Sequence, residues 1–283
     1  MGQAIWSGLA VGAAYALMAL GFALELEVCD IVNAAHGAFV VLGMYMMLKL
    51  MAAGAPTVLA VLGAVAVVTV IAVPIYFLFV GPARASAGHR IQLVYTLLIL
   101  IASPAVFQLI FGGDILAISH NFYRVSLPGG ALSSGEIATV VIAALAAVGL
   151  SVAARKTTIG KLAYVAGRYD QGAKAIGISI PRVYAAVFLL GSALAGLAGG
   201  LAVSFQPVSP TLGIQFVSVV FLVALVARTS LIGCLILGLV YGVAQALLDY
   251  YAPSALSASL TYAVFLVALV LVQQKVAHAR TAV

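Results

Sequence analysis

Charge is what this chain has least of: Asp, Glu, Lys and Arg make up 7% of its 283 residues. A water-soluble domain carries roughly 25%, so too little polar surface exists here to face water on all sides. Cysteine is nearly absent as well. Cys29 and Cys234 supply neither a disulfide framework nor a cysteine-rich metal site, and both read as small buried hydrophobes. No metal site is expected. Long polar segments are missing: the two longest, residues 112–136 and 155–182, are too short to fold alone as a catalytic domain. The motifs of soluble phosphate and metal chemistry are missing too. The only Gly-Lys pair, Gly160-Lys161, runs into Leu162, which excludes a phosphate-cradling P-loop, and no His-Glu-x-x-His occurs.

What remains is apolar. Hydrophobic residues reach 65%, with a mean hydropathy of +1.24. Runs of spanning length cover residues 6–24, 34–51, 57–80, 92–111, 137–154, 183–203 and 256–272. About 20 residues at 1.5 Å rise cross a ~30 Å hydrocarbon layer. Backbone amides in lipid must be paired within the segment, so these runs predict helices. Barrel strands would alternate polar and apolar residues, and these runs do not. The fold class is therefore all-α: a polytopic membrane protein with about eight or nine membrane-inserted helices, forming one domain over residues 1–283. Residues 213–227 are short for a span and read either as a brief crossing or as a segment that enters and turns back. The first run lacks a cleavage-site pattern and preceding basic residues, so it is not expected to be a removable signal peptide.

The net charge of +6 follows from topology rather than from a nucleic-acid partner. Arg84 and Arg90 share one loop. Arg155, Lys156, Lys161, Arg168, Lys174 and Arg182 share the longest basic stretch, and Arg228, Lys275 and Arg280 fall on the same side. Only Lys49 and Arg124 are left for the other face. The positive-inside rule then puts the N-terminus outside and the C-terminus in the cytoplasm.

Four glycines mark expected packing faces. "GLAVG" holds Gly8 and Gly12, and "GLVYG" holds Gly238 and Gly242. Small-xxx-small spacing lets helix backbones approach in lipid. The longer strings "GLAVGAAYAL" and "GLVYGVAQAL" match at six places; an internal repeat or shared packing composition would each produce that.

Two polar stretches carry the candidate chemistry. In "DIVNAAHGAF", Asn33 and His36 lie three apart on one helical face, and Gly37 lets the backbone break or approach a neighbour closely. Polar groups at membrane depth line a path or tie helices together. The stretch thus predicts a discontinuous helix whose polar end, Asn33, His36 and Gly37, lines a translocation path or anchors the broken helix. Glu25, Glu27 and Asp30 are expected to be solvated at the inner surface, with Arg228 or another subunit as alternative partners. Arg228 reads as an anchor at the interface. In "YDQGAKAIGISIPR", Asp170 opens and Gly177 closes a short surface helix that includes Ala173 and Lys174. Ser179 is expected to N-cap the next helix, with Pro181 in its first turn. This helix is either an amphipathic linker or a knob presented to a partner.

"AKAIGISIPR" resembles the cytoplasmic coupling segment of the branched-chain amino-acid ABC transporter permeases, through Ala173, Gly177, Ile178 and Arg182. "TTIGK", "IVNAAHGAFVVLGMY", "GLAVGAAYALMALGF", "LPGG" and "VSPTLG" resemble further stretches of that family, so the likeness runs nearly end to end. It departs at "ELEV", where the family often has Tyr-Gly, and at "ARTSLIGC", which keeps little of a glycine-rich loop beyond Gly233. Tyr164-Val165 also stands where Arg-Ala is usual. The resemblance implies a permease subunit in the bacterial inner membrane, without its own ATPase site or cofactor. ATP and Mg would be held by two cytoplasmic ATPase subunits. It also implies a second permease subunit, homologous or identical, and an extracytoplasmic solute-binding protein. The segment around residues 155–182 would couple to the ATPases through Asp170, Ala173, Lys174, Gly177, Ile178 and Arg182. The implied solute is a branched-chain or other apolar amino acid, with urea, short amides and aromatic acids as relatives' alternatives. Rival readings are a sugar permease of related architecture, a stand-alone secondary transporter or channel, and an intramembrane enzyme acting through Asp114. Asp114, Glu136 and Asp249 fall at span ends, which disfavours ion coupling.

Overall fold

A computed structural model of the chain describes residues 1–86, 89–118, 122–169, 173, 177–251 and 254–281. It is helical nearly throughout. The helices are α1 (Gly2–Cys29), α2 (His36–Ala52), α3 (Thr57–Ile75), α4 (Gly81–Ser86), α5 (His89–Phe111), α6 (Ser134–Lys156), α7 (Thr158–Arg168), α8 (Ile180–Ala202), α9 (Leu212–Val226), α10 (Leu231–Tyr251) and α11 (Ser254–Thr281). Among the described residues, six helices are long and apolar enough to cross a membrane, counting α3 through α4 as Thr57–Ala83. Three shorter apolar stretches, His36–Ala52, Leu212–Val226 and Ser259–Val270, add to them. The chain is an all-α polytopic membrane protein.

The centre of the bundle is α1. Gly and Ala alternate with larger residues such as Leu17, Leu20 and Phe22 on its buried surface, so neighbours come close on several sides, and 78% of its most apolar stretch is buried. It packs chiefly on α10 and α8, then on α6 and α9. The α1–α10 pair is antiparallel, and Gly8, Gly12, Gly238 and Gly242 meet along it. A Cβ on Gly12 would stand 2.6 Å from the Gly238 carbonyl oxygen, and one on Gly242 would run into Gly12 N and Gly8 O. Close backbone contact of this kind replaces the hydrophobic effect, which is absent between helices in lipid. A second seam joins α2 to α8, where a Cβ on Gly43 would stand 2.6 Å from Gly196 O.

Pro74 sits inside α3 and is followed directly by a π-helical turn, Tyr76–Val80. Proline lacks the N–H of the regular ladder, and a π-turn absorbs the mismatch. The turn points Tyr76 at α8, with its ring 5.2 Å from that of Phe188.

Residues 112–136 contain a β-hairpin, β1 (Arg124–Leu127) and β2 (Gly130–Ser133), paired antiparallel. Pro128 and left-handed Gly129 (φ +79°) make its turn. The hairpin docks on the start of α1. Gln3 pairs with Ala131 in both directions, donating from Nε2 to its carbonyl at 3.1 Å and accepting its N–H at 2.8 Å. Trp6 Nε1 donates to Pro128 O at 3.1 Å. Ser133 and Glu136 then form a capping box that starts α6.

Candidate functional site: the broken helix and the Cys29 end of the bundle

α1 ends when Asp30 takes the left-handed conformation (φ 52°) and donates its N–H to Leu26 O. The chain then turns back along the bundle without helix until His36. His36 Nε2 lies 3.0 Å from Met18 O. Met18 precedes Cys29 by a stretch of α1 about 16 Å long at 1.5 Å per residue. So α2 begins well inside the bundle, near the middle of α1. Gly37 makes that start possible by close approach: a Cβ there would collide with Gly213 O at the start of α9. α2 and α9 are both shorter than a full span and meet near their first turns.

Non-helical backbone at this depth needs partners. Thr96 of α5 provides them. Its Oγ1 accepts the Ala34 N–H at 3.2 Å and lies 3.3 Å from Val32 O and 3.1 Å from Leu93 O, either of which can take its proton. Thr96 was not singled out in the sequence. Its signal was a polar residue in register with Gln92 and Ser103 on an otherwise apolar helix; all three are buried.

Asn33, His36 and Glu25 are completely buried together. His36 Nδ1 stands 3.8 Å from Glu25 Oε1, and the Asn33 amide faces the same carboxyl. Neither Glu25 oxygen, nor either Asn33 polar atom, nor His36 Nδ1 has a hydrogen-bond partner among the described residues. Glycines make the room: a Cβ on Gly191 would strike the Glu25 carboxyl, and one on Gly21 would stand 2.9 Å from the His36 ring. The expected solvation of Glu25 is thus overturned. Near the end of a helix whose neighbours are glycine-faced, its side chain turns into the α1–α8 contact instead of out to water.

Glu27 is exposed, as expected. It pairs with Arg168 at 2.8 Å and accepts from the Thr229 hydroxyl, rather than meeting Arg228. The Glu27 carboxylate holds the Arg168 guanidinium further above its ordinary range. Asp30 is exposed, as expected. Arg228 and Thr229 are both left-handed, at φ 53° and 59°. They occupy the link where the resembled family carries glycines, which adopt this conformation without strain.

The same end holds the 157–182 segment. α7 lies against the bundle through Gly160, which abuts Ala153 and Ala154, and Gly167, which abuts Val28. Tyr184 of α8 donates to Ala166 O at 3.0 Å. Ala173 is buried, and its carbonyl accepts the Ile178 N–H at 3.0 Å, with Gly177 between them at φ 81°. That bond and that sign of φ belong to a Schellman-type cap. Arg182 is exposed. Asp170 and Lys174 lie outside the described residues. Ser179 is the N-cap of α8 with Pro181 in the first turn, but its hydroxyl makes no capping bond, contrary to expectation. Here the first-turn proline, rather than the Ser179 hydroxyl, helps set the helix start.

A helical bundle with two short helices starting inside it, tied by glycine seams, defines a multi-pass membrane protein of the permease class. The chain belongs to the family described as branched-chain amino acid transport system / permease component, which matches residues 4–272. It is 26% identical over 266 residues to the high-affinity branched-chain amino acid transport system permease protein LivH of Salmonella typhimurium, covering 88% of this chain and 86% of that one. The same figures hold for LivH of Escherichia coli K12. The probable branched-chain amino acid transport permease protein LivH of Methanocaldococcus jannaschii is 27% identical, covering 90% and 81%. Among solved structures, PsaBC from Streptococcus pneumoniae in complex with Fab shares the fold, with a TM-score of 0.52 at 12% identity over 93% of this chain and 89% of that one.

Proposed function

We propose that this chain is the membrane-spanning subunit of an ABC importer for a small apolar amino acid, driven by ATP hydrolysis on separate subunits. The family match over residues 4–272 carries the reading. A second permease subunit, two ATPases and an external solute-binding protein complete the assembly in this proposal. The N-terminus and the hairpin face outside, and the Cys29 end faces the cytoplasm with the basic residues.

The geometry supports a route for the power stroke. The coupling segment, with Asp170, Ala173, Lys174, Gly177, Ile178 and Arg182, receives the ATPase. α7 leads into it and is bonded to α1 through Arg168–Glu27 and to α8 through Ala166–Tyr184. Thr229 ties the α9–α10 link to the same Glu27. A displacement at residues 173–182 therefore pulls on three inserted helices at once. The ATPase must contact the segment differently in its open and closed states for this to bias the pore. Asn33, His36 and Gly37 anchor the buried start of α2, so that the break in the helix moves with α1.

The test is uptake of labelled L-leucine into proteoliposomes holding the chain with its co-purified subunits. Uptake that requires ATP and the ATPases is expected. Uphill uptake by the chain alone would overturn the reading in favour of a secondary transporter.

A further inference from the structure

At the Cys29 end, the last turns of α1 and α6, the start of α10, α7 and one side of α8 enclose an open cleft of about 530 Å³. We propose that this cleft is a binding site for an anionic phospholipid, with the phosphate on the Arg155 guanidinium and an acyl chain along the apolar wall between α6, α8 and α10. The site goes beyond the import reading and uses only the membrane embedding of the chain.

The wall is apolar well inside the bundle. Leu24, Leu150, Val187 and Leu190 line it. Leu150 lies about 7–8 Å up α6 from Arg155, at 1.5 Å per residue. The cleft thus runs from the charged helix ends into the hydrocarbon layer. Leu190 and Ile232 line it and are themselves exposed, so its open side looks into the bilayer. Ile159, at the start of α7, lines the mouth and is 79% exposed. With Leu162 and Tyr164 also exposed beside Lys161 and Arg168, α7 has the make-up of a helix lying at a lipid surface.

The mouth is cationic. Arg155, Lys156 and Lys161 are exposed, and none of them forms a hydrogen bond or ion pair among the described residues. Glu27 is the one acidic residue lining the cleft among the described residues, and Arg168 already pairs with it. The Ser230 hydroxyl accepts the Gly233 N–H at 3.3 Å, which leaves its own proton for a phosphate oxygen. α7 and α10 both begin at the cleft, so the positive ends of two helix dipoles add to the same field. Basic pockets between spans at this level suit lipid phosphates.

This arrangement selects its occupant. A soluble phosphate compound would use the guanidinium and leave the apolar wall bare. A zwitterionic lipid brings an ammonium that the field repels. An anionic phosphodiester with acyl chains uses both parts. A volume within the ~300–1,000 Å³ of small-ligand sites takes the glycerol backbone and the upper part of one chain, and the rest of the lipid stays in the bilayer. Seated there, the lipid braces α7 against α6 and α10.

The test is titration of the full chain with its co-purified subunits, delipidated in detergent, with dioctanoyl phosphatidylglycerol. Bound lipid is read by native mass spectrometry, with dioctanoyl phosphatidylcholine and inorganic phosphate as comparison ligands. Saturable binding is expected, with phosphatidylglycerol preferred over phosphatidylcholine by about fivefold or more, the worth of one basic side chain at a membrane surface. Arg155→Gln should remove that preference and spare phosphatidylcholine binding, and Arg155→Lys should keep most of it. Leu190→Trp, which fills the apolar wall, should weaken both lipids. Lys49→Gln, exposed at the other end of the bundle, should change neither. Equal affinity for the two lipids, or a preference that survives Arg155→Gln, overturns the site. Inorganic phosphate that displaces phosphatidylglycerol at matched concentration would make a soluble anion the occupant and overturn it as well. No saturable binding to the assembly would mean that another subunit covers the cleft, and the proposal falls.

Discussion

α1 and α5 look alike on a hydropathy plot, with mean values of 1.8 and 2.2 over their most apolar stretches. Yet α1 is 78% buried there and α5 only 22%. Their buried faces differ in kind. That of α1 is rich in Gly and Ala, including Gly8, Gly12, Ala13, Ala16, Gly21 and Ala23, set among larger residues such as Leu17, Leu20 and Phe22. That of α5 is one stripe, Gln92, Thr96, Leu100, Ser103 and Phe107, while Leu98, Ile101 and Leu109 face outward. In water, burial selects large apolar side chains. In lipid both environments are apolar, so burial selects close backbone approach and hydrogen bonding instead.

The sharpest way to break this comparison is to fill the α1 seam. Gly242→Leu places side-chain atoms on the backbone of Gly8 and Gly12, which cannot yield; a loss of more than about 3 kcal/mol and little protein in the membrane are expected. Gly149→Ala, on α6 where a Cβ meets nothing within 4 Å, should instead be neutral or stabilise by up to about 1 kcal/mol. Fractionation blots and thermal unfolding in detergent compare the two. Equal behaviour would mean that the seam is not what holds α1.

Next comes the polar anchor. His36→Leu removes the contact to Met18 O and leaves Glu25 against hydrocarbon, with a cost of about 1–3 kcal/mol or more. His36→Gln keeps an N–H for that carbonyl and should retain most of the stability and the transport. Loss of transport in His36→Gln at normal assembly would show that the ring itself acts in the path. On α5, Thr96→Val keeps the shape and strips the acceptor of the Ala34 N–H. A smaller loss, about 1–2 kcal/mol, is expected in the same unfolding assay. Leu109→Ala, on the outward face of α5, should not be measurable there.

The last effect is a gain. Arg228→Gly removes a side chain from a left-handed backbone position that costs roughly 1–2 kcal/mol, so unfolding should shift upward by about 1 kcal/mol. A downward shift would show that the Arg228 side chain contributes more than its backbone costs.

Much of the fold was legible. Runs of apolar residues marked the inserted helices to within a few residues, because the length of a span is set by the bilayer. A Pro in the first turn marked the start of α8. The break before His36 was legible because Asn33 and His36 have no business in a continuous lipid-facing helix. The hairpin at Arg124–Ser133 was not. Its strands are four residues each, and what holds it is Gln3, far away in sequence. Glu25 was also misjudged as solvated with Glu27 and Asp30, which are exposed. Two glutamates two positions apart on a helix point to different sides, and only the neighbours decide which side is protein.

By itself, then, the order of residues determined that the chain is a lipid-embedded bundle, which end carries the positive charge, and where small residues permit close packing. Each follows from a local property: apolar length, Lys and Arg count, the absence of a Cβ. Tertiary structure alone decided that α1 is the hub, that Glu25 is sealed beside His36, and that Glu27 joins α7 to the α9–α10 link. Those outcomes depend on which surfaces meet, and in a membrane hydropathy is nearly silent on that, because lipid and protein present the same apolar alternative to each side chain.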